Sequence, residues 1–192
     1  MSRYPIAGRG ATPRRDAAVV EAPHRPECGT GLLVSLAGPN ARIFFLEGGR
    51  HTVDVSATPL AVVEPTREQV AVCAALAAVR PAEWVGKRCH HSVYVVLLSP
   101  TVRKNRHFAA KNPRMRPGMP CVYVGLTGLT PDERFANHRD GHKSARFAGS
   151  KGVRLVPELY ERFNPMPFAV GAAFEPYLAG ALRRAGYGVW QN

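Results

Sequence analysis

The stretch Cys121–Gly141, CVYVGLTGLTPDERFANHRDG, contains the strongest structural signals in this 192-residue chain. It begins with a run of β-branched and aromatic residues, CVYV, which predicts a buried strand. Two glycines then interrupt the strand, and Thr130 follows, with proline at the next position and Glu133 three residues later. This pattern is a capping box with proline at the first helical position, so it predicts a helix start. Gly141 predicts the end of that helix.

Two side chains of the predicted helix have the chemistry of a phosphate site. Arg134 and His138 are four residues apart and therefore share one helix face. Tyr123 lies in the preceding strand, so the unit is a strand, a glycine turn and a helix that carry a phenol, a guanidinium and an imidazole. Arginine is well suited to phosphate because its planar fork of N–H donors matches phosphate oxygens, whereas lysine acts only as a point charge.

A carboxylate near the C-terminus is the second candidate. A continuous helix from residue 168 would have one stripe made up of Phe168, Ala172, Glu175, Ala179 and Leu182. Glu175 would then be the one carboxylate on an apolar face, and a buried ionised carboxylate is unfavourable unless it is paired or bound to a metal. Pro176 favours a kink, or a shorter helix that begins beside Glu175. The sequence leaves two roles open for Glu175, a metal ligand and a partner in a salt bridge to an arginine.

These motifs resemble those of the GIY-YIG nuclease superfamily. The segment VYVG at 122–125, followed by Arg134, resembles its second motif and helix, and Tyr94 in SVYVV at 92–96 resembles its first tyrosine strand. Glu175 resembles the metal-binding glutamate of the last helix, and Asn192 the asparagine that often follows it. The resemblance covers roughly residues 92–192. It implies an α/β (α+β) domain with a small central sheet flanked by helices, and metal-dependent cleavage of phosphodiester bonds.

The resemblance also implies a catalytic set, which comprises Tyr94, Tyr123, Arg134, His138 and Glu175. Glu175 would hold Mg²⁺ or Mn²⁺, since magnesium commonly takes few protein ligands and keeps several waters. Arg134 would stabilise the phosphate, and one of the two tyrosines would activate or orient the attacking water. A tyrosine needs a lowered pKa to act as a general base. His138 would share a proton or contact the phosphate, and a histidine on the helix surface without such a role is the alternative.

The charge of the chain predicts a polyanionic partner. Lys and Arg number 26 and Asp and Glu number 14, which gives a net charge of +12. Nucleic acid fits this charge before an acidic membrane surface does, and the nuclease resemblance favours DNA over RNA. The segment 99–120 has no acidic residue, and its prolines and glycine predict a loop inserted between the two tyrosine strands. Its cations, with one that follows the central helix, are candidate phosphate contacts: Arg103, Lys104, Arg106, Lys111, Arg114, Arg116 and Lys143. A solvated charged loop is the alternative.

The N-terminal third predicts a basic arm and a small β module. Residues 1–27 are rich in Arg, Pro and Ala and lack periodicity, so we expect a disordered arm, either a phosphate-contacting tail or a solvated leader. Residues 28–65 show four short strands with glycine turns, which predict a small curled sheet or an SH3-like barrel. The pattern resembles Tudor-like modules, which dock onto a protein or nucleic acid. A cap that stabilises the next domain is the alternative.

Residues 66–91 are predicted to form a helix and a connector. Thr66 and Gln69 have the spacing of a second capping box, and the helix is expected to run to about Val79. No apolar run approaches the roughly 18 residues of a membrane span, and no signal peptide is recognisable at the N-terminus. The four cysteines form no C-x-x-C pair, which favours reduced thiols in a cytoplasmic protein over a disulfide framework.

Two classes of function therefore follow from the sequence. The first is a metal-dependent endonuclease of the GIY-YIG type, acting on DNA, with an RNA nuclease as a variant that differs only in substrate. The alternative is a non-catalytic nucleic-acid-binding or assembly module on a degenerate nuclease fold. The long segment between the two tyrosines and the proline beside Glu175 are departures from the family pattern that keep this alternative open.

Overall fold

The computed structural model describes residues 19–141, 145 and 147–191. The chain divides into two compact units, Met1–Trp84 and Val85–Asn192. Each unit contains a sheet and at least one helix, which confirms the prediction of a mixed α and β fold. Among the described residues, no helix combines the length and the apolar character that crossing a bilayer requires.

The first unit contains one open antiparallel sheet. Its five strands are β1 (Val19–Glu21), β2 (Thr30–Ala37), β3 (Asn40–Phe45), β4 (Gly49–Asp54) and β5 (Ala61–Val62). The strand order is β4-β3-β2-β1-β5, so the four predicted strands are present. The SH3-like barrel is not confirmed, because β4 and β5 lie at opposite edges of the sheet and the described strands do not close it.

Residues 1–27 were predicted to be a disordered arm, but residues 19–21 form strand β1. Val20 is fully buried in the core of the first unit with Ile43 and Phe45, and β1 pairs with both β2 and β5. A short 3-10 helix, Pro26–Cys28, follows. The prediction of disorder is therefore wrong for residues 19–27, because two consecutive valines find partners that are distant in sequence. Residues 1–18 of the arm lie outside the described residues.

Helix α1 of the first unit (Val70–Ala78) starts later than its capping box predicts. The Thr66 N–H donates to Oε1 of Gln69 at 2.9 Å, which is one half of the box. Residues 67–69 form a turn before the helix begins. The hydrogen bond between Thr66 and Gln69 therefore stabilises the turn that precedes the helix. The helix ends at Ala78, one residue before the predicted position.

The second unit is built on a sheet with β6 at its centre. Its strands are β6 (Cys89–Leu98), β7 (Cys121–Thr127), β8 (Gly152–Leu155), β9 (Met166–Pro167) and β10 (Gly188–Trp190). The order is β10-β7-β6-β8, and the two-residue β9 pairs with β6. β10 runs parallel to β7, and the other pairs are antiparallel. Residues 93–98 of β6 are apolar and almost wholly buried, as predicted for a central strand. β9 and β10 were not predicted.

Helix α3 (Pro131–Arg139) follows the sequence closely. The Glu133 N–H donates to Oγ1 of Thr130 at 3.3 Å, and the Thr130 N–H donates to Oε2 of Glu133 at 2.9 Å. The predicted capping box is thus complete. Gly141 has φ of 81°, a left-handed conformation that glycine adopts without strain, two residues after the helix ends. A short helix, α4 (Ala148–Lys151), precedes β8.

The segment 99–120 contains a helix where a loop was predicted. A 3-10 helix, Pro100–Lys104, leads into α2 (Arg106–Lys111). The Oδ1 of Asn105 accepts hydrogen bonds from the N–H groups of His107 and Phe108, so Asn105 is the N-cap. The Phe108 ring is buried and anchors the helix to the unit. The three prolines that suggested a loop, Pro113, Pro117 and Pro120, all lie after α2, in the part that remains irregular.

The last helix, α5 (Phe168–Arg184), is continuous through Pro176, but its buried face is not the predicted stripe. Phe168 is 60% exposed and Ala172 is exposed as well. The face that packs on the sheet instead consists of Val170, Gly171, Phe174, Leu178, Ala179 and Leu182. A Cβ built on Gly171 would lie 2.5 Å from Leu126, so this glycine permits the close approach of the helix to β7. Glu175 consequently lies at the border of the buried face and is half-buried.

Candidate active site

The two tyrosines are adjacent because their strands are. In the register of β6 and β7, Tyr94 lies opposite Gly125 and Val96 lies opposite Tyr123, so both tyrosines belong to one face of the sheet. Their ring centroids are 5.8 Å apart. A Cβ on Gly125 would lie 2.7 Å from Cε1 of Tyr123 and 2.8 Å from the Tyr94 hydroxyl oxygen. The glycine therefore makes room for the tyrosine pair.

His138 is the buried residue of α3 and forms a hydrogen bond with Tyr94. Its side chain is 1% exposed, which excludes the alternative of a surface histidine. The Nδ1 atom accepts a hydrogen bond from the Ala145 N–H at 3.2 Å, and Nε2 lies 2.8 Å from the Tyr94 hydroxyl oxygen. Because Nδ1 accepts, a neutral ring carries its proton on Nε2 and donates it to Tyr94.

The charge state of His138 follows from its surroundings. Burial, and then the positive charge of Arg134, lower the pKa of His138 to about 4. The imidazole is therefore neutral at pH 7. Both ring nitrogens of His138 are hydrogen-bonded, so the ring positions the Tyr94 hydroxyl. Because the ring is buried, it cannot contact a phosphate in this conformation.

The Tyr94 hydroxyl oxygen is the point where the site residues meet. Besides His138, the Tyr123 hydroxyl and the Arg134 guanidinium lie within hydrogen-bonding reach of this oxygen. Burial raises the pKa of Tyr94 and outweighs these two neighbours, which lower it. Burial also raises the pKa of Tyr123, and Tyr94 adds to the effect because Tyr123 donates to it. Both phenols are therefore protonated at neutral pH.

Glu175 reaches the same site from α5. Burial raises the pKa of this carboxyl, and a hydrogen bond from the Gln191 side chain partly offsets the effect. The negative charge of Glu175 in turn raises the pKa of both Tyr94 and Tyr123, so the carboxylate lies within electrostatic reach of the tyrosine pair. The structure thus brings together all five predicted site residues, from β6, β7, α3 and α5.

Gln191 is a site residue that sequence reasoning missed. It directly follows β10, whose parallel pairing places Trp190 opposite Tyr123. This pairing carries the Gln191 side chain to Glu175. The prediction had instead singled out Asn192, which lies outside the described residues. Only the sheet topology could have identified Gln191, because a three-residue strand has too little periodicity to recognise.

The basic segment approaches the site through Lys111. Among the described candidates for phosphate contact, the six that belong to this segment are all exposed: Arg103, Lys104, Arg106, Lys111, Arg114 and Arg116. The Lys111 Nζ atom lies 3.4 Å from the Gln191 carbonyl oxygen and 4.2 Å from the centroid of the Trp190 ring. Arg103 donates to the Met119 carbonyl oxygen and so also braces its own segment. Lys143 lies outside the described residues.

The residues present fit a metal ion held by one protein ligand. Within the described part of the chain, no three His, Cys, Asp or Glu side chains gather as a metal cluster would require. Glu175 is a half-buried carboxylate whose pKa is raised by burial, and an adjacent cation would offset that penalty. Mg²⁺ keeps several waters and is often held by one or two carboxylates, so this donor suits it.

Comparisons with known proteins give no independent assignment. No protein-family model matches the chain, and neither a curated protein nor a solved structure matches it. Membership of the GIY-YIG superfamily therefore remains a prediction that rests on the motifs in the sequence and on the geometry of the site.

Proposed function

We propose that the protein is a metal-dependent endonuclease that hydrolyses nucleic-acid phosphodiester bonds, with DNA favoured over RNA. The observation that supports this most is the convergence of Tyr94, Tyr123, Arg134 and Glu175, which come from four separate elements. Phosphodiester hydrolysis needs an oriented water, stabilisation of charge on the phosphate and help for the leaving oxygen. The assembled side chains supply one group for each of these tasks.

Arg134 is assigned to the phosphate. Its side chain is half-buried, with its guanidinium held against the Tyr94 hydroxyl. A guanidinium carries five N–H donors, enough to bond a tyrosine and a phosphate oxygen together. Preorganised donors of this kind stabilise the negative charge that develops in the transition state, because they need no reorientation during the reaction.

The tyrosines are assigned different tasks. Tyr94 is fully buried, so it fixes the positions of Tyr123 and Arg134. Tyr123 is 4% exposed and is the phenol nearer to the surface. Because its raised pKa keeps its hydroxyl protonated at pH 7, Tyr123 orients the attacking water by hydrogen bonding and does not remove its proton.

Glu175 is assigned to the metal ion and Gln191 to the orientation of Glu175. When bound, Mg²⁺ or Mn²⁺ would supply Lewis-acid stabilisation of the leaving oxygen and of the phosphate charge. The Gln191 hydrogen bond fixes the carboxylate in the way that neighbours of metal ligands commonly do.

The exposed basic segment is assigned to the nucleic-acid backbone. One of its cations, Lys111, lies beside Gln191, whose side chain hydrogen-bonds Glu175, so a bound strand can pass from the basic segment to Glu175. Contacts with phosphates of this kind are independent of sequence and sensitive to salt. The proposal also includes a cytoplasmic location and a protein partner that docks on the small sheet of the first unit.

A cleavage assay tests the proposal. Supercoiled plasmid, single-stranded DNA and RNA are incubated with the full chain in Mg²⁺, in Mn²⁺ and in EDTA. We expect cutting that depends on the metal and that both Glu175→Ala and Arg134→Ala abolish. Arg139→Ala is the matched control, since Arg139 is an exposed arginine of the same helix, and it should cut as the wild type does.

The alternative function predicts a different result. Burial raises the pKa of both tyrosines and of Glu175, and this observation favours a site that holds its protons and does no chemistry. Tight, salt-sensitive binding with no cutting under any metal would exclude the enzyme and leave a nucleic-acid-binding module. Absence of both binding and cutting would exclude both functions.

A further inference from the structure

The outer edge of β10 is bonded to a side chain of the basic segment (residues 99–120). Among the strands that the structure describes, β10 lies at the edge of its sheet and pairs with β7 alone. An edge strand leaves backbone N–H and carbonyl groups without a strand partner on its free side. At Val189 the Asn112 side chain fills that place, because its Oδ1 accepts from the N–H at 2.7 Å and its Nδ2 donates to the carbonyl oxygen at 3.1 Å. The same carbonyl oxygen also accepts from Arg183 at 3.3 Å.

The Asn112 amide is itself held in one orientation. Asn112 is 8% exposed and is the C-cap of α2. Its Nδ2 also donates to the Phe108 carbonyl oxygen at 2.9 Å, so both amide hydrogens and the amide oxygen are used. Phe108 packs closely on β10, since a Cβ built on Gly188 would lie 2.9 Å from Cε1 of its ring. Turning the amide over would break three buried hydrogen bonds, so α2 fixes the position of Val189.

β10 carries this constraint to the site. Gln191 is two residues beyond Val189, and its side chain hydrogen-bonds Glu175. Lys111, the neighbour of Asn112, makes a second contact from α2 to the same end of the strand, through the Gln191 carbonyl oxygen at 3.4 Å. A strand of three residues has few ladder bonds of its own, so the bonds from α2 are a substantial part of what holds Gln191 in place.

We propose that Asn112 is a positioning residue for the candidate active site, which fixes β10 so that Gln191 holds the Glu175 carboxylate in place. The inference rests on the proposed function for the role of Glu175 as the metal ligand. It gives the basic segment a second task, because the exposed cations of the segment contact phosphates while its buried amide orients a carboxylate of the site. Asn112 touches neither substrate nor metal, so its effect on cleavage passes through Gln191.

A purely structural role for Asn112 predicts a different pattern. Loss of a structural bond would lower the stability of the unit and would affect cleavage whether or not Gln191 is present. If Asn112 acts through Gln191, removal of the Gln191 side chain leaves Asn112→Ala little further to change, because the effects of residues that act in series are not additive. The double variant therefore distinguishes the two roles.

NMR of the Gln191 side-chain amide in the ¹⁵N-labelled full chain tests the positioning without metal or nucleic acid. Glu175→Ala marks the signal of an amide that has lost its carboxylate. We expect Asn112→Ala to move the Gln191 signal toward that position, and Asn112→Ser, whose hydroxyl can bond a water, to move it partway. Asn105→Ala is the matched control, because Asn105 caps the first turn of the same helix, and it should keep the wild-type signal.

Single-turnover cleavage of plasmid in Mg²⁺, with the Kd for the same DNA, tests the consequence for the site. We expect Gln191→Ala to lower the rate about 10–100-fold and Asn112→Ala at least about fivefold, with Kd within about twofold of wild type. The double variant should cut no more slowly than Gln191→Ala.

Two results would overturn the proposal: a wild-type Gln191 signal in both Asn112 variants, or rate losses that multiply in the double variant. A wild-type chain that cuts nothing would exclude the proposed function. The NMR measurement would still decide whether Asn112 positions Gln191, so the two proposals fail independently.

Discussion

Acidification is expected to destabilise the second unit through His138. In the folded chain, burial and then Arg134 lower the pKa of His138 from 6.5 to about 4. The unfolded chain regains the ordinary value and binds the proton more readily between pH 6.5 and pH 4. Stability is therefore fully present above this window and is lost as the pH falls through it. The two pKa values differ by about 2.5, which at about 1.4 kcal/mol for each pKa unit corresponds to roughly 3.5 kcal/mol in full. Roughly 3 kcal/mol of this is lost by pH 4, where about half of the folded molecules carry the proton on His138.

Urea unfolding at pH 7, 6, 5 and 4 measures this loss. The chain has two tryptophans, so a Trp84→Phe background leaves Trp190 to report on the second unit alone. The comparison is with His138→Gln in the same background, because the glutamine amide does not titrate. We expect the histidine protein to lose roughly 3 kcal/mol more than the glutamine protein between pH 7 and pH 4. Carboxylates contribute equally to both proteins and cancel in the difference.

Parallel pH dependence of the two proteins would refute this reasoning, since it would mean that His138 keeps an ordinary pKa in the folded state. His107→Gln is the matched control. His107 is exposed on α2, so removing its imidazole should leave the pH dependence as in the wild type. A control that itself flattens the pH dependence would place the titrating group elsewhere.

Three further substitutions test other parts of the structure. Asn112→Ala removes the amide that bonds both the N–H and the carbonyl oxygen of Val189. The N–H is left buried without a partner, whereas the carbonyl oxygen keeps the Arg183 guanidinium at 3.3 Å. We expect a loss of about 1–3 kcal/mol in urea unfolding and faster amide exchange in β10. Gly125→Ala places a methyl group 2.7 Å from the Tyr123 ring, and the overpacking is expected to cost about 1–3 kcal/mol in thermal unfolding and to abolish cleavage. Arg106→Ala removes an exposed cation, so the slope of log K against log salt for DNA binding should fall by about 1.

Local signals in the sequence were most reliable in the unit of β6, β7 and α3. The capping box of Thr130 and Glu133 forms as predicted, since both halves lie within one turn. The tyrosine strands were also predicted, because runs of β-branched and aromatic residues favour buried strands in any context. Arg134 and His138 converge on Tyr94 because helical spacing alone puts them on one face.

Features that depend on distant partners were missed. β10 is three residues long and exists because β7 provides a parallel neighbour, so Gln191 could not be found without the topology. The buried face of α5 depends on where Gly171 meets Leu126, and a repeat of apolar residues does not fix that contact. The barrel is not confirmed, and its closure could not be predicted for the same reason, because closure of a sheet depends on whether its two edge strands meet.

The central claim is that Arg134 stabilises the phosphate during cleavage and does not merely help to bind nucleic acid. Arg134→Lys keeps the charge and removes the planar fork, so the most direct test is single-turnover cleavage of plasmid at saturating protein, alongside the Kd for the same DNA. We predict a Kd within about threefold of wild type and a cleavage rate lower by about 10²–10³, the usual cost of a lost transition-state donor. Arg139→Lys should change neither quantity. A cleavage rate that stays at the wild-type value, or falls only as far as binding does, would contradict the account.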